Sequence, residues 1–386
     1  MPNLKIQDYI YAHPNWRTEL AEAPYNLKIT EDDGFVMFKY DQIASDFNQE
    51  ICREARGLIL DTQDNFRVVR YAFRKFFNID EGFADHINWD TAVASEKIDG
   101  SIMSVWFARG QWHLSTNGTI DAFRAPLNGV CPYKTFGELF ESVLPLSWFE
   151  STLSSIFTHF CYTFELVSPY NKVVLDYPKT RVYLLSVRSM DTLHEFSLDD
   201  VIDFAKRFNM LTPQVYRLNN QADYRKLVEQ MPEGHEGIVV RDVNNNRVKI
   251  KTLLYFEMHR ARNNGVLTLE RTIDLILAND HAEFLSYFPE YTDYFNAVEA
   301  VIHGVIAIAK NWDVRGFKQE YEKEFSERVA RKQFSVNMAQ NVAKGLQGLA
   351  YKCYDGRGVE WLNTLTAAQW ARTFAHQFSM VKGVDQ

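Results

Sequence analysis

The sequence lacks the features that mark secreted, disulfide-bonded or membrane-spanning proteins. Its four cysteines are far apart and form no Cys-x-x-Cys pair, so neither a zinc site nor a disulfide framework is predicted. No run of about 18 apolar residues occurs, which argues against a transmembrane helix. Residues 1–16 include Asp8 and contain no apolar stretch of the length that a signal peptide needs. We therefore expect a soluble, cytoplasmic protein with reduced thiols.

Positive charge is not in excess either. The chain has 42 lysines and arginines against 50 aspartates and glutamates, a formal net charge of −8. This balance argues against a protein that binds nucleic acid through its overall charge, so any polyanion must bind to a local basic patch. With 386 residues, of which 46% are hydrophobic and 14% aromatic, the chain can bury a substantial core, and two domains are expected.

Residues 1–255 have the pattern of an α+β domain. Short apolar runs with a period of two alternate with turn residues, and helical segments around residues 135–143 and 198–208 interrupt them. Strands are predicted at residues 57–61, 66–73, 101–108, 162–167, 182–187, 237–241 and 247–251. The asparagine-rich segment 242–246 between the last two strands predicts a hairpin loop that tolerates positive φ.

The pattern changes in residues 256–386. Apolar residues recur there at helical spacing, as in Val298, Val301, Ile302 and Val305. We therefore predict a second, all-helical domain over residues 256–386.

The segment Glu96-Lys97-Ile98-Asp99-Gly100-Ser101, just before a predicted strand, is typical of a nucleophile loop. A lysine amine attacks phosphorus only when it is deprotonated, so nearby cations, a metal or desolvation would have to lower its pKa from about 10.4. Gly100 would let the backbone approach a bound nucleotide closely. Alone, Lys-x-Asp-Gly is a weak signal, and a solvated turn is its more frequent explanation.

Charged residues recur further along the chain in strand-like segments. Glu165 lies inside an otherwise apolar strand, and Glu236 precedes a β-branched strand. Buried carboxylates are costly unless they bind a cation or a ligand. Lys249 and Lys251 are two residues apart, so both ammonium groups project from one face of a strand and suit a polyphosphate. A solvated strand face explains such a lysine pair equally well.

Two upstream segments also place cations next to apolar residues. Arg56 precedes Gly57 at the start of a strand, and Lys75 precedes Phe76-Phe77-Asn78. These cations could reach the phosphates of a leaving group, and Phe77 could offer an aromatic face. On their own, both segments are better explained as polar strand ends over core aromatics.

Together, these segments resemble the covalent nucleotidyltransferases, and specifically the phage-type RNA ligase 1 family. The similarity runs from about Phe38 to Lys251. It implies an α+β adenylyltransferase domain of the nucleotidyltransferase (ATP-grasp-like) type with antiparallel sheets over residues 1–255. It also implies that the all-α domain over residues 256–386 recognises RNA or tRNA, and residues 337–345 resemble a family segment.

The resemblance implies a role for each candidate residue. Lys97 would be the adenylylated nucleophile, and Asp99 would orient it or a metal-bound water. The implied ATP-binding residues are Tyr40, Arg56, Lys75, Phe77, Glu165, Lys249 and Lys251. Glu236 and Asp280 are the implied ligands of Mg²⁺, with Mn²⁺ as an alternative metal. For an aspartate such as Asp280, an N-capping or surface position is the more frequent explanation.

The implied activity is that of an ATP-dependent RNA ligase. It would join 5′-phosphate and 3′-hydroxyl RNA ends, cleaved tRNA among them, through lysyl-AMP and adenylylated RNA, as a monomer without a membrane partner. Strand periodicity is absent after Lys251, which disfavours DNA ligases and capping enzymes because these append a β-barrel to the catalytic core. A capping-type guanylyltransferase that uses GTP and a non-catalytic RNA-binding module remain as alternatives. A P-loop ATPase or kinase is excluded because its glycine-rich motif is missing.

One position departs from the family pattern. Where close relatives carry a lysine in a Lys-Gly-Ser turn after the nucleophile strand, this chain has Asn117 in the turn Thr116–Thr119. Asparagine keeps the capacity for hydrogen bonds but lacks the charge, so the sequence leaves undecided which contact this turn makes.

His235 adjoins Glu236, but HExxH is missing and a lone histidine at a strand edge is more often structural, so it is not predicted to bind metal.

Overall fold

The computed structural model describes residues 3–42, 44–127, 131–153, 155–171, 175–253, 267–278, 281, 284–285 and 288–381. The chain divides into two compact units, residues 1–259 and 260–386. The first unit combines helices with mostly antiparallel sheets, and the described elements of the second unit are helices, so the predicted fold class is confirmed. The predicted boundary at residues 255 and 256 lies outside the described residues, and the division into a catalytic and an RNA-recognition domain stays a prediction.

Three sheets form the framework of the first unit. Their strands are β1 (Lys28–Asp32), β2 (Phe35–Lys39), β3 (Arg56–Asp61), β4 (Arg67–Arg70), β5 (Phe77–Asn78), β6 (Val93–Glu96), β7 (Ser101–Ala108), β8 (Gln111–Thr116), β9 (Phe160–Val167), β10 (Arg181–Ser189), β11 (Val215–Tyr216), β12 (Gly237–Arg241) and β13 (Arg247–Lys251). The strand orders are β1-β2-β3-β4 in sheet A, β11-β6-β12-β13-β5 in sheet B and β10-β9-β7-β8 in sheet C. The helices of this unit are Lys5–Ala12, Trp16–Ala21, Glu50–Glu54, Phe136–Glu141, Leu146–Thr152, Leu198–Arg207 and Gln221–Glu229.

Sheet C lies at the centre of the packing of this unit. On one side, Trp106 and Cys161 belong to the same core as residues of sheet A. On the other side, side chains of β7 and β9 pack with residues of the helices Phe136–Glu141 and Leu198–Arg207. Strands that are covered on both faces have near-continuous apolar sequences, which explains why β7 and β9 were readable as strands.

Most predicted strands lie within two residues of the observed bounds, but the strand predicted at residues 66–73 is wrong in length. Strand β4 spans only Arg67–Arg70. Before it, Asn65 and Phe66 have φ angles of 48° and 55°, which belong to a turn. After it, the carbonyl of Ala72 accepts a hydrogen bond from Nε of Arg188 at 3.2 Å instead of from a neighbouring strand. The strands β1, β2, β5, β6, β8 and β11 were not predicted.

The hairpin between β12 and β13 agrees with its prediction. The two strands are antiparallel, and Asn245 in the loop has a φ of 64°. Oδ1 of Asp242 accepts hydrogen bonds from the backbone N–H groups of Asn244 and Asn246 at 2.9 and 3.0 Å, which closes the loop. This turn sets the register of β13 and therefore the positions of Lys249 and Lys251, which are both buried.

A buried carboxylate joins sheets B and C. Glu195 lies 2.5 Å from Nη2 of Arg188 in β10 and 3.1 Å from Nη1 of Arg241 in β12, and it also pairs with Arg247 in β13. Burial alone would raise the pKa of this carboxyl, but the guanidinium groups of Arg247, Arg188 and Arg241 outweigh burial and lower it to about 2. One carboxylate therefore holds cations from three strands of two sheets.

The second unit consists of helices in its described part. They are Leu269–Ala278, Thr292–Arg315, Phe317–Glu322, Glu327–Asn341, Gln347–Tyr354, Gly358–Leu362, Ala367–Thr373 and Ala375–Phe378. The longest ends at Gly316, whose φ of 66° is the left-handed conformation that favours glycine at a helix end. Val298, Ile302 and Val305, which show the predicted helical spacing, are buried. None of the described helices combines the length and apolar content that crossing a bilayer requires.

We expect Glu195→Gln to lower the free energy of unfolding by about 3–5 kcal/mol, because three buried guanidinium groups lose their counter-charge. Because the pKa of Glu195 is lowered, its ion pairs with the three arginines stabilise the fold above pH 4.5. This contribution is lost as the pH falls towards 2. Urea unfolding at pH 7 and in acid measures both effects. Asp203→Asn is the matched control, because its 3.3 Å pair with Lys206 is exposed and worth less than about 1 kcal/mol. Equal losses in the two variants would contradict the assignment.

Candidate active site

The predicted nucleophile lies on the connection between sheets B and C. Lys97 follows β6 and precedes β7, and its backbone N–H donates to the carbonyl of Gly237 in β12 at 2.8 Å. This bond continues the pairing of β6 with β12, so the lysine is held beside the start of that strand. Its amine Nζ lies 2.6 Å from Oε2 of Glu236. The side chain of Lys97 is 24% exposed, whereas that of Glu236 is only 2% exposed.

Glu236 binds a second amine with its other oxygen. Nζ of Lys251 lies 3.3 Å from Oε1 of Glu236, and both side chains are buried. The pairing of Gly237 with Lys251 across β12 and β13 explains this contact, because it places Lys251 next to the residue that precedes Gly237. The structure therefore brings together three predicted site residues, Lys97, Glu236 and Lys251, which lie far apart in the sequence.

Gly100 is required by the packing of the chain itself. A Cβ atom at this position would lie 2.4 Å from the carbonyl oxygen of Leu166 and 2.9 Å from Cγ1 of Val167, both in β9. Any side chain would therefore push the nucleophile loop away from the strand that carries Glu165. The contact of Gly100 with β9 was not predicted, and the close approach of this backbone to a nucleotide stays a prediction.

Glu165 is a buried carboxyl that faces the nucleophile loop. It is 7% exposed. Burial raises its pKa to about 8; the nearby Glu236 and Asp99 add to this increase, and Lys97 and Arg56 oppose it. At neutral pH this group is mainly protonated, so it can donate a hydrogen bond as well as accept one. Such a group suits a hydroxyl or a base of a nucleoside better than a phosphate.

Asp99 anchors the segment that follows β9. Its Oδ2 accepts a hydrogen bond from the backbone N–H of Leu175 at 2.7 Å, and its own N–H donates to the hydroxyl of Tyr177 at 3.2 Å. Asn171 of the same segment donates to Oγ of Ser101 at 3.0 Å. Sequence reasoning missed this anchor because the partners lie more than 70 residues away. The predicted role of Asp99 in orienting Lys97 stays a prediction.

A second group of cations surrounds Tyr40. Nζ of the buried Lys75 lies 5.1 Å from the centre of the Tyr40 ring. The pKa of Lys75 is lowered, first by burial and then by the charges of Lys249 and Arg56, while Tyr40 opposes the shift. The pKa of Tyr40 is also lowered, because Lys75, Arg56 and Lys249 outweigh the effect of burial on its hydroxyl. Three cations that raise each other's electrostatic energy would favour an anion bound among them.

Arg56 is the member of this cation group that most clearly calls for a ligand. Its Nε and Nη1 atoms are buried, yet neither has a hydrogen-bond partner. The guanidinium lies 5.0 Å from the ring centres of both Phe73 and Phe76. Leaving a buried charged donor unsatisfied costs about 1–3 kcal/mol or more, so such atoms call for an explanation in a native structure. An anionic ligand provides that explanation.

Two candidate residues remain, Phe77 and Asp280. Phe77 is buried, and its ring packs 5.3 Å from that of Phe47 and 5.5 Å from that of Phe83. Its ring centre also lies 5.3 Å from Nζ of Lys75. The predicted contact of Phe77 with a nucleotide stays a prediction. Asp280 lies outside the described residues, and its proposed metal contact is not addressed by the structure.

The donor set fits a hard divalent cation that arrives with a substrate. In the described part of the chain, no three histidine, cysteine, aspartate or glutamate side chains converge to form a metal cluster. Mg²⁺ is commonly bound through one or two carboxylates together with substrate phosphates, and Glu236 can supply such a carboxylate. Nδ1 of His235 pairs with Oε1 of Glu96 at 2.9 Å, and that His235 does not bind metal stays a prediction.

The family follows from a comparison with known proteins. A family model described as RNA ligase, of the phage RNA ligase 1 type, matches residues 54–257, a little over half of the chain. The chain belongs to this RNA ligase family. The predicted resemblance is therefore confirmed, and the matched range contains Lys97, Glu165 and Glu236.

Curated relatives agree with this membership. The chain is 27% identical over 278 residues to a protein of Autographa californica nuclear polyhedrosis virus named as a bifunctional polynucleotide kinase/RNA ligase, with 67% of this chain and 38% of the relative covered. It is also 27% identical over 330 residues to an RNA ligase of Rhodothermus phage RM378, with 68% and 74% covered. The chain thus spans less than half the length of the viral relative.

Solved structures of ligases are also similar to this RNA ligase family member. An archaeal ATP-dependent RNA ligase matches with a TM-score of 0.44 and 13% identity, over 97% of this chain and 81% of the other. An RNA ligase of Naegleria gruberi with pyrophosphate matches with a TM-score of 0.36 and 12% identity, over 52% and 68%.

We expect Glu165→Gln to remove a pH-dependent cost from the fold of this RNA ligase family member. The pKa of Glu165 in the folded protein is about 8, above its ordinary value of 4.5. The wild type therefore loses stability as the pH rises from 4.5 to about 8. The loss is at most about 1.4 kcal/mol for each pH unit. Chemical unfolding at pH 5 and pH 8 should show that the variant gains stability over the wild type at the higher pH. Glu229→Gln, at an exposed position, is the control, and a gain that does not depend on pH would speak against a protonated Glu165.

Proposed function

We propose that this member of the RNA ligase family is an ATP-dependent ligase that joins 5′-phosphate and 3′-hydroxyl RNA ends through AMP bound to Lys97. The observation that carries the proposal is the position of the amine of Lys97, 2.6 Å from the buried carboxylate of Glu236, which also pairs with the buried amine of Lys251. Arg56, whose charge acts on Glu165 as that of Lys97 does, has two buried donor atoms without a partner. A nucleophile close to several cations is the arrangement that phosphoryl-type transfer needs.

In the first step, Nζ of Lys97 attacks the α-phosphorus of ATP. An N–P bond forms, the P–O bond to the β-phosphate breaks, and pyrophosphate leaves. The amine must lose a proton before it attacks, and Oε2 of Glu236 is the atom in position to accept it. Glu165, as a neutral carboxyl, would hold the nucleoside.

The cations supply the electrostatic part of this step. Arg56 and Lys75 would bind the leaving phosphates, and Lys249 and Lys251 would neutralise the α-phosphate during the attack. Tyr40 and Phe77 would border the nucleotide. These groups are held in the free protein by strand pairing and by packing on aromatic rings, so little reorganisation is needed when ATP binds.

The next two steps transfer and release AMP. The RNA 5′-phosphate attacks the phosphorus on Lys97, so the N–P bond breaks and adenylylated RNA forms. The 3′-hydroxyl of the other end then attacks the RNA phosphorus, which forms the phosphodiester and releases AMP. Mg²⁺ or Mn²⁺, held by Glu236 with phosphate oxygens, would neutralise charge during these transfers. A second ligand at Asp280 is part of this proposal.

The second unit offers a surface for RNA. The helix Glu327–Asn341 buries Ala330, Phe334 and Met338, while Arg328 and Lys332 are exposed on another face. Exposed cations at a spacing of four residues lie on one side of a helix and can contact neighbouring phosphates.

We include in the proposal that cleaved tRNA is among the substrates, that the protein acts as a monomer and that it works in the cytoplasm.

The first test separates the nucleotide classes. Intact-mass spectrometry after incubation with ATP and Mg²⁺ should show one added AMP on the wild type and none on Lys97→Ala, because the variant lacks the attacking amine. Lys206→Ala, at an exposed position, is the control and should carry the adduct. An adduct with GTP alone would favour the guanylyltransferase alternative. No adduct with either nucleotide would favour the non-catalytic RNA-binding module.

The second test concerns the RNA surface. We expect the double variant Arg328→Glu, Lys332→Glu to raise KM for RNA by about tenfold at low salt, because two phosphate contacts are replaced by repulsion, while adduct formation with ATP is unchanged. Lys206→Glu, Lys226→Glu makes the same change of charge at exposed positions of the first unit and should leave KM unaltered. Nicked tRNA and unstructured 5′-phosphorylated RNA are compared as substrates. Equal effects of the two double variants would contradict a specific RNA contact of this helix.

A further inference from the structure

Arg70 is a fully buried cation that sequence reasoning did not single out. It lies in β4, and its guanidinium donates hydrogen bonds to three separate segments. Nε donates to Oγ of Ser104 in β7 at 3.1 Å, and Nη2 donates to Oδ1 of Asn117 at 3.3 Å. Nη1 donates to the carbonyl oxygen of Arg56 at 3.1 Å and also to that of Gly57.

These acceptors are all neutral. The ion pairs of the described residues include none with Arg70. Burial lowers its pKa to about 10, and the charge of Arg56 adds to that effect, so the group still carries its proton at neutral pH. A buried arginine without a carboxylate partner lowers the stability of the fold. Its contact with the backbone of Arg56, the proposed phosphate-binding residue, offers a functional reason for this cost.

The space around Gly57 shows how closely Arg70 controls this region. Gly57 has a φ of 72°, and a Cβ atom there would overlap Nη1 of Arg70 and lie 2.8 Å from the carbonyl oxygen of Asn117. The guanidinium therefore fills the place where a side chain would be, and it fixes the backbone of Arg56. With that backbone fixed, the side chain of Arg56 extends over Phe73 and Phe76 with its Nε and Nη1 still without partners.

The same guanidinium also reaches the turn that departs from the family pattern. The turn Thr116–Thr119 and the segment Gly100–Ile102 both line a cavity of about 500 Å³ beside the nucleophile loop. Asn117 carries no charge of its own, but its side-chain oxygen is bound by a charged group from β4. A cation is thus present at this turn, although it comes from another strand.

We propose that Arg70 is a positioning residue for the reaction with ATP, because it holds the backbone of Arg56 and the turn at Asn117 in the geometry that binds the leaving phosphates. The inference rests on the proposed function, since it assigns Arg56 to these phosphates. Arg70 itself is fully buried and is bonded to Ser104, to the backbone of Arg56 and to Asn117, so its effect on the nucleotide runs through Arg56.

The test separates the step that uses ATP from the step that does not. In Arg70→Lys the charge is retained, but a single amine cannot bind the carbonyl of Arg56 and the side chain of Asn117 as the planar fork does. We expect KM for ATP in adduct formation to rise about tenfold. Sealing of chemically pre-adenylylated RNA, which needs no ATP, should keep its rate within about twofold. Ser104→Ala removes one acceptor without touching Arg56 and is the matched control.

A purely structural role predicts a different result. If Arg70→Lys slows both steps equally, or leaves KM for ATP unchanged, the inference is wrong. If this variant does not fold, Asn117→Ala removes only the contact with the turn, and a rise of about threefold in KM for ATP is expected with normal sealing of pre-adenylylated RNA. A wild type that forms no adduct would contradict the proposed function, whereas a wild-type adduct with normal KM in both variants would contradict only the role of Arg70.

Discussion

The site depends on one buried carboxylate, Glu236, which binds the amines of Lys97 and Lys251 with its two oxygens. Two ammonium groups that lie this close together repel each other, and the carboxylate between them offsets the repulsion. In the proposed reaction, the same carboxylate keeps the nucleophile close to the phosphate-binding cations before a nucleotide arrives. A bound polyphosphate would bring its own negative charge, so Lys251 would gain a second partner and the amine of Lys97 would be released for attack.

Each sheet contributes a different part of the site. Sheet A supplies Arg56, and sheet C supplies Glu165. Sheet B supplies Lys249 and Lys251 of β13 and, directly before β12, the carboxylate of Glu236. The chemistry therefore requires the sheets to keep their relative positions, and the pairs of Glu195 with arginines of β10, β12 and β13 provide one such connection. Buried charges thus serve two separate purposes in this unit. Glu195 and its arginines hold the sheets together, and Glu236 with the site lysines belongs to the proposed ligand site.

The sequence was sufficient where local geometry determines the outcome. Alternation within β13 places Lys249 and Lys251 on one face whatever the tertiary structure is, and the apolar surroundings of Glu165 predict its burial. It was insufficient where partners come from distant segments. Arg70 resembles any polar strand residue until β3, β7 and the turn at Asn117 converge on it. The short strands β1 and β6 escaped prediction because their apolar residues are few and their pairing is non-local.

The place of Lys97 in the chain has a consequence for how long an activated nucleotide can be kept. This residue belongs to the connection from β6 to β7, whose backbone is bonded to Gly237 at one end and anchored through Asp99 at the other. In the proposed reaction, AMP attached to this amine would become part of that connection, so its residence on the protein would no longer be set by a dissociation rate. The protein would then be charged when ATP is abundant and would keep the activated nucleotide until a broken strand arrives, with the stored bond as its energy source.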